Sequence, residues 1–157
     1  MLKRLFIAAL MAASCHLAQA ISLSVPKLLI DNAVAKKFPK EKLTVTLNNP
    51  STRFSKERQK LELCGTWASK LLRQQGDFCI DFTPQWNKVK GDIEISKLSI
   101  VKLNYGEDKA LPESVASALS SSVLTLLDGT AVYHVPDMVG KYLETIEVQD
   151  ASLKLGF

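Results

Sequence analysis

The sequence predicts an α+β domain: a strongly curved antiparallel β-sheet wrapped around a long helix in the C-terminal half, with a shorter N-terminal helix. Three observations lead to that class. Several runs alternate apolar and polar residues, as strands with one buried face do. The connections between them are short, which argues for antiparallel neighbours. Two of the runs change parity partway, as bulged strands do, and bulged strands bend.

Taken in order, "SVPKLLIDNAVAKKFP" (24–39) has helical spacing, with Ile30, Ala33, Val34 and Phe38 on one stripe. Ser24 is placed to cap it, Pro26 suits its first turn and Pro39 ends it. In "KLTVTLNNP", Leu43, Val45 and Leu47 alternate with threonines, and the strand is expected to stop at Asn-Asn-Pro. Strands follow at 59–67 and 77–84. "VKGDIEISKLSIVKLNY" is another, in which Ile93 and Ile95 share one parity while Leu98 and Ile100 take the other. A bulge near Ser96-Lys97 would return all four to one face. The segment "LPESVASALSSSVLTLL" then places Val115, Leu119, Val123 and Leu126 on one side of a helix. A short strand at "AVYHV", a helical turn at "PDMVGKYL" and a final run "TIEVQDASLKL" complete the chain. The final run shows the same parity break, so it reads as one more bulged strand.

The first twenty residues stand apart. "MLKR" is a positive n-region, "LFIAALMAA" an apolar h-region, and "SCHLAQA" ends on small residues before Ile21. That is the anatomy of an export signal, 1–20, cleaved after Ala20 to leave a single domain, 21–157. The competing reading is a degenerate lipoprotein box ending at Cys15, which would make the mature protein a membrane-anchored lipoprotein. Either route expects the periplasm or cell envelope, an oxidising compartment.

Discarding Cys15 leaves Cys64 and Cys79 in two facing strand runs, "KLELCGTW" and "DFCIDF". Pairing them antiparallel with Cys64 opposite Cys79 sets Leu61 against Phe82, Leu63 against Ile80 and Gly65 against Phe78. A slip of one residue would send one strand's apolar set to the wrong face, so this register is selected. It predicts a structural disulfide stabilising by about 3 kcal/mol. Its costs are a long loop from Thr66 to Asp77 and Glu62 placed opposite Asp81. Two buried free thiols or a redox pair are the alternatives, and the chain has no Cys-x-x-Cys motif to favour the second.

Charge is uneven. Residues 36–60 carry Lys36, Lys37, Lys40, Lys42, Arg53, Lys56, Arg58 and Lys60 against Glu41 and Glu57, while acidic residues dominate after 107. Such a basic end could meet an anionic membrane surface by long-range attraction, and a solvated, soluble surface is the plainer reading. Nucleic acid is not expected, because no aromatics interleave with the cluster. Catalysis and cofactors are not expected either. With His16 in the signal, His134 has no second histidine for a metal site. The chain also has no Gly-x-Ser-x-Gly elbow and no phosphate-cradling glycine loop.

"SVPKLLIDNAVAKKFP" followed by "LTVTLNNP", then "FTPQWNKVKGDIEISKLSIVKL" and the helix running into "GTAVYHV", resemble the YceB-like family of bacterial envelope proteins. The resemblance covers nearly all of 21–157 and lies in order, spacing and texture rather than in a catalytic motif. It implies a tubular lipid-binding fold, a curled sheet around a helix with room for acyl chains between them. The expected ligand is then a lipid or other hydrophobic small molecule, held by a non-catalytic monomer. The candidate contacts are Leu43, Val45, Leu61, Leu63, Phe78, Ile80, Phe82, Ile93 and Ile95 on the sheet and Val115, Leu119, Val123 and Leu126 on the helix. The alternative is a ligand-free envelope protein that acts by docking to another protein. The two maturation routes separate by intact mass: the mature chain is expected to begin at Ile21, and a lipid-modified Cys15 would contradict that.

Overall fold

A computed structural model describes residues 21–106 and 109–157; the signal segment, with Cys15 and His16, lies outside the described residues. Antiparallel strands form a half-barrel in the order β2 (Lys40–Lys42), β3 (Val45–Ser55), β4 (Lys60–Ser69), β5 (Gln74–Asn87), β6 (Asp92–Tyr105) and β7 (Lys109–Ala110). Strand β8 (Ala131–His134) also pairs with β6. A second sheet, of three strands, runs β1 (Ser22–Pro26), β10 (Ser152–Gly156), β9 (Thr145–Val148). The helices are α1 (Lys27–Ala35), α2 (Glu113–Leu127) and the single turn α3 (Asp137–Gly140). With 15 residues α2 is of ordinary length, not the long helix expected.

The half-barrel is organised by β4 and β5. Cys64 faces Cys79 and forms a disulfide with it, and Leu61–Phe82, Leu63–Ile80 and Gly65–Phe78 pair as the alternation demands. Leu61, Leu63, Phe78, Ile80 and Phe82 are completely buried on the inner face. Gly65 sits where a Cβ would lie 2.6 Å from the Asn48 carbonyl and 2.9 Å from the Phe78 ring, so only glycine fits. The long loop expected from Thr66 to Asp77 does not exist. Pairing continues to Ser69–Gln74, and residues 70–73 make a tight turn in the same register.

Several bulges bend the sheet, two of them at residues with positive φ. In β6, Lys97 (φ 50°) and Leu98 together oppose Phe82, between the pairs Asp81–Ser99 and Thr83–Ser96. The bulge changes parity there, so Leu98 and Ile100 pack against the same core that buries Ile93 and Ile95. In β3 the chain does not stop at Asn48-Asn49-Pro50. It passes through them with a register shift and Asn49 at φ 50°, a conformation asparagine tolerates. Before the shift Val45 and Leu47 point inward; after it Thr52 and Phe54 do. Buried Thr52 gives its hydroxyl hydrogen to the Asp31 carboxylate on α1, which satisfies a polar group at the sheet–helix contact.

Three other expectations change. Ser24 lies in β1, and Pro26 precedes α1 with no side-chain cap. The final run is a hairpin, not one bulged strand: β9 and β10 pair Leu153 with Val148 and Leu155 with Ile146 across 149–151. The trough is therefore closed by more than two helices. Val25, Val148, Leu153 and Leu155 of the small sheet, with Ile30 and Val34 of α1, share one core with the half-barrel.

On the outer face the juxtaposition of Glu62 and Asp81 is relieved by basic neighbours. Asp81 accepts from the Ser99 hydroxyl and lies 3.1 Å from Arg58 Nη1 and 3.6 Å from Lys60 Nζ; Glu62 is 3.7 Å from Arg53 Nη1. The Ser99 hydrogen bond, aided by Lys60 and Arg58 and opposed by burial, holds the Asp81 carboxyl below the usual range. A carboxylate with a depressed folded pKa adds stability that is complete above its unfolded pKa of about 3.9 and is lost as pH falls through the folded value. Thermal melts from pH 7 downward should therefore show wild type losing stability below about pH 4. Asp81→Asn should start lower at pH 7 and lose less over that acid interval; parallel curves would contradict the assignment.

Candidate functional site

Helix α2 is fixed at one end and thin at the other. Near its C-terminus Leu127 is fully buried, and Gly129 (φ 71°) donates its N–H to the Ile95 carbonyl at 3.1 Å. The Ile95 N–H donates to Thr130 O at 2.9 Å, and Lys40 Nζ donates to the Leu126 carbonyl at 3.2 Å. Burial, with the nearby charge of Lys37, lowers the Lys40 pKa. Leu119, Val123 and Leu127, at i, i+4 and i+8, form the stripe that enters the trough.

At the N-terminal half the side chains are short. Ser114, Ala118 and Ser122 repeat every four residues and so lie along one edge of the helix. That edge faces Thr44, Val45 and Ser69 at the end of the half-barrel, and Leu71 and Leu72 of the β4–β5 turn. Helix and sheet do not close there, and Val115 and Leu119 form the floor of a groove of about 330 Å³. Among the described residues, no charged side chain lines it. Its chemistry is that of a hydrocarbon slot with serine and threonine hydroxyls at intervals.

The thirteen sheet and helix positions expected to touch a ligand divide into four groups. Val45, Val115 and Leu119 line the groove. Leu61, Leu63, Phe78, Ile80, Phe82, Ile93, Ile95 and Val123 are core residues, at most 1% exposed. Leu126 is half-buried against that core. Leu43 is a correction: it sits in the β2–β3 turn at φ 55°, 88% exposed and outside the groove, because β2 ends at Lys42 and β3 starts at Val45. The alternation of Leu43 with Val45 and Leu47 concealed that turn. Thr44, Ser69, Leu71, Leu72, Ser114, Ala118 and Ser122 were missed; the visible signal was two leucines in the turn "KLLR".

Other concavities differ in chemistry. One of about 540 Å³ lies over the outer face of β3–β5, where Thr46, Asn48, Asn49, Thr66, Gln75 and Asp77 make it polar. One of about 440 Å³ runs between α1 and β8 past Lys36, Lys37, Tyr133 and His134. There His134 Nδ1 is 2.8 Å from Asp92 Oδ1, with the imidazole mostly exposed. Glu62, Cys64 and Cys79 cluster closely enough to hold a metal ion, but the disulfide removes both thiolates. No known family model matches the chain, and no curated protein matches it.

Proposed function

We propose that this chain is an exported, non-catalytic envelope protein, acting as a monomer, that holds an apolar ligand such as a lipid acyl segment in the groove beside α2. The observation that carries the reading is a slot of about 330 Å³ bounded by Val45, Leu71, Leu72, Val115 and Leu119, with no charge among its described lining residues. Its volume is at the lower end of the roughly 300–1,000 Å³ of small-molecule sites. Each buried methylene would contribute about 0.8 kcal/mol, with the groove hydroxyls orienting a polar end. The disulfide suits an oxidising compartment, in keeping with the export signal read from residues 1–20. The likeness to the YceB-like envelope proteins, read from the sequence, points the same way.

The second reading, a ligand-free protein that docks to a partner, is favoured by one observation. The middle of the trough is filled by the protein's own side chains, with Leu61, Leu63, Phe78 and Phe82 wholly buried. Ligand carriage therefore has only the groove to work with.

Organic extraction of the mature protein purified from cells, followed by mass spectrometry, should recover lipid near one per chain. The apo protein should take up a fluorescent fatty acid. Ala118 is exposed on the groove wall, so Ala118→Trp should fill the slot and weaken uptake at least about tenfold, the equivalent of about 1.4 kcal/mol. Its unfolding midpoint should stay near wild type. A clean extract with no uptake would leave the docking reading.

A further inference from the structure

Three leucines stand in water at the end of the half-barrel where the groove opens. Leu43, in the β2–β3 turn, is 88% exposed; Leu71 and Leu72, in the β4–β5 turn, are 75% and 38% exposed. The two turns are one structure: Lys70 N–H donates to the Thr44 carbonyl at 3.0 Å, and Val45 pairs with Ser69 just behind them. Turn tips ordinarily carry Gly, Asn, Asp or Ser, and a leucine at φ 55° is an uncommon choice there. Single exposed leucines are unremarkable on a protein surface; clustered ones mark an interaction site.

The shoulders of this tip are basic. Lys42, Lys70 and Arg73 are exposed beside the leucines. Glu41 lies 3.2 Å from Lys70 Nζ with both side chains mostly exposed, a screened pair that leaves the local charge positive. Among the described residues, Glu113 at the start of α2 is an acid on the groove side. The fold creates this arrangement by dividing the basic stretch 36–60. Arg53, Arg58 and Lys60 pair with Glu62 and Asp81 toward the far end of β3 and β4, Lys40 is tied to the Leu126 carbonyl, and Lys42 remains at the tip.

We propose that the protein meets an anionic lipid surface tip-first: Leu43 and Leu71 enter the interface, Lys42, Lys70 and Arg73 meet headgroups, and the groove mouth faces the membrane. The proposal rests on the apolar-ligand reading of the groove, because it gives that ligand a route that avoids water. Leu71 and Leu72 belong to both features, since they line the groove as well as the tip. A stable protein partner would need roughly 800 Å² from each side, and two turn tips offer a point rather than a face. Apolar tips with basic shoulders suit a bilayer, where burial and surface potential add.

Sedimentation with phosphatidylcholine vesicles, pure or in a three-to-one mixture with phosphatidylglycerol, tests it. Wild type should bind the mixed vesicles more tightly than the neutral ones. Leu43→Ser should bind them about tenfold less, the loss expected for one leucine, with fatty-acid uptake unchanged because Leu43 is outside the groove. Leu43→Trp should keep vesicle binding, and its added indole emission should shift to shorter wavelength with vesicles. Equal binding by Leu43→Ser, no preference for the anionic mixture, or an unshifted indole would each overturn the proposal. Uptake in solution without vesicle binding would also overturn it while leaving the groove reading intact. Leucine-dependent vesicle binding without uptake would support the tip and sink the groove.

Discussion

The pairing of Cys64 with Cys79 across β4 and β5 is the constraint on which the other features depend. A strand has only two faces, so fixing one pair fixes the destination of every neighbour. With the sulfurs outside, Leu61, Leu63, Phe78, Ile80 and Phe82 must go inside, and Glu62 and Asp81 must share the outer surface. The cost of that acidic pair is offset by Arg53, Arg58, Lys60 and the Ser99 hydroxyl. The register thus commits Arg53, Arg58 and Lys60 to structure, while Lys42 lies at the other end of the sheet.

Curvature follows from the bulges on either side of this central pair. Asn49 in β3 and Lys97 in β6 both take positive φ, and each changes the parity of its strand so that apolar residues on both sides of the bend face the core. A sheet bent in this way makes a trough too large for one 15-residue helix to fill. Helix α1 and the β1–β10–β9 sheet fill most of what α2 leaves. The gap that persists lies where α2 presents Ser114, Ala118 and Ser122 to the sheet end, because hydroxyl and methyl groups do not reach across.

Legibility in the sequence followed the range of the interactions. The β4–β5 register and the bulge near Lys97 could be read because each is set by alternation within a few residues of the chain. The continuation of β3 through Asn48-Asn49-Pro50 could not, since those residues signal a turn and only pairing with β4 overrides them. The β9–β10 hairpin looked like a bulged strand because an odd step and a tight turn leave the same parity mark; its partner β1 is more than a hundred residues away in sequence. Apart from Leu43, the residues expected on the concave face do point inward, but periodicity does not distinguish a side chain that fills a core from one that lines a gap. That distinction depends on the lengths of facing side chains, as at Ala118 and Val45.

In the proposed function, apolar ligand and protein core occupy different parts of the same trough, the ligand only beside the N-terminal half of α2. Paramagnetic broadening of backbone amide signals by a spin-labelled fatty acid tests this residue by residue. Broadening confined to Thr44–Val45, Ser69–Leu72 and Ser114–Ser122 is the predicted result. Broadening centred on Leu61, Leu63 and Phe82, or none at saturating ligand, would contradict it.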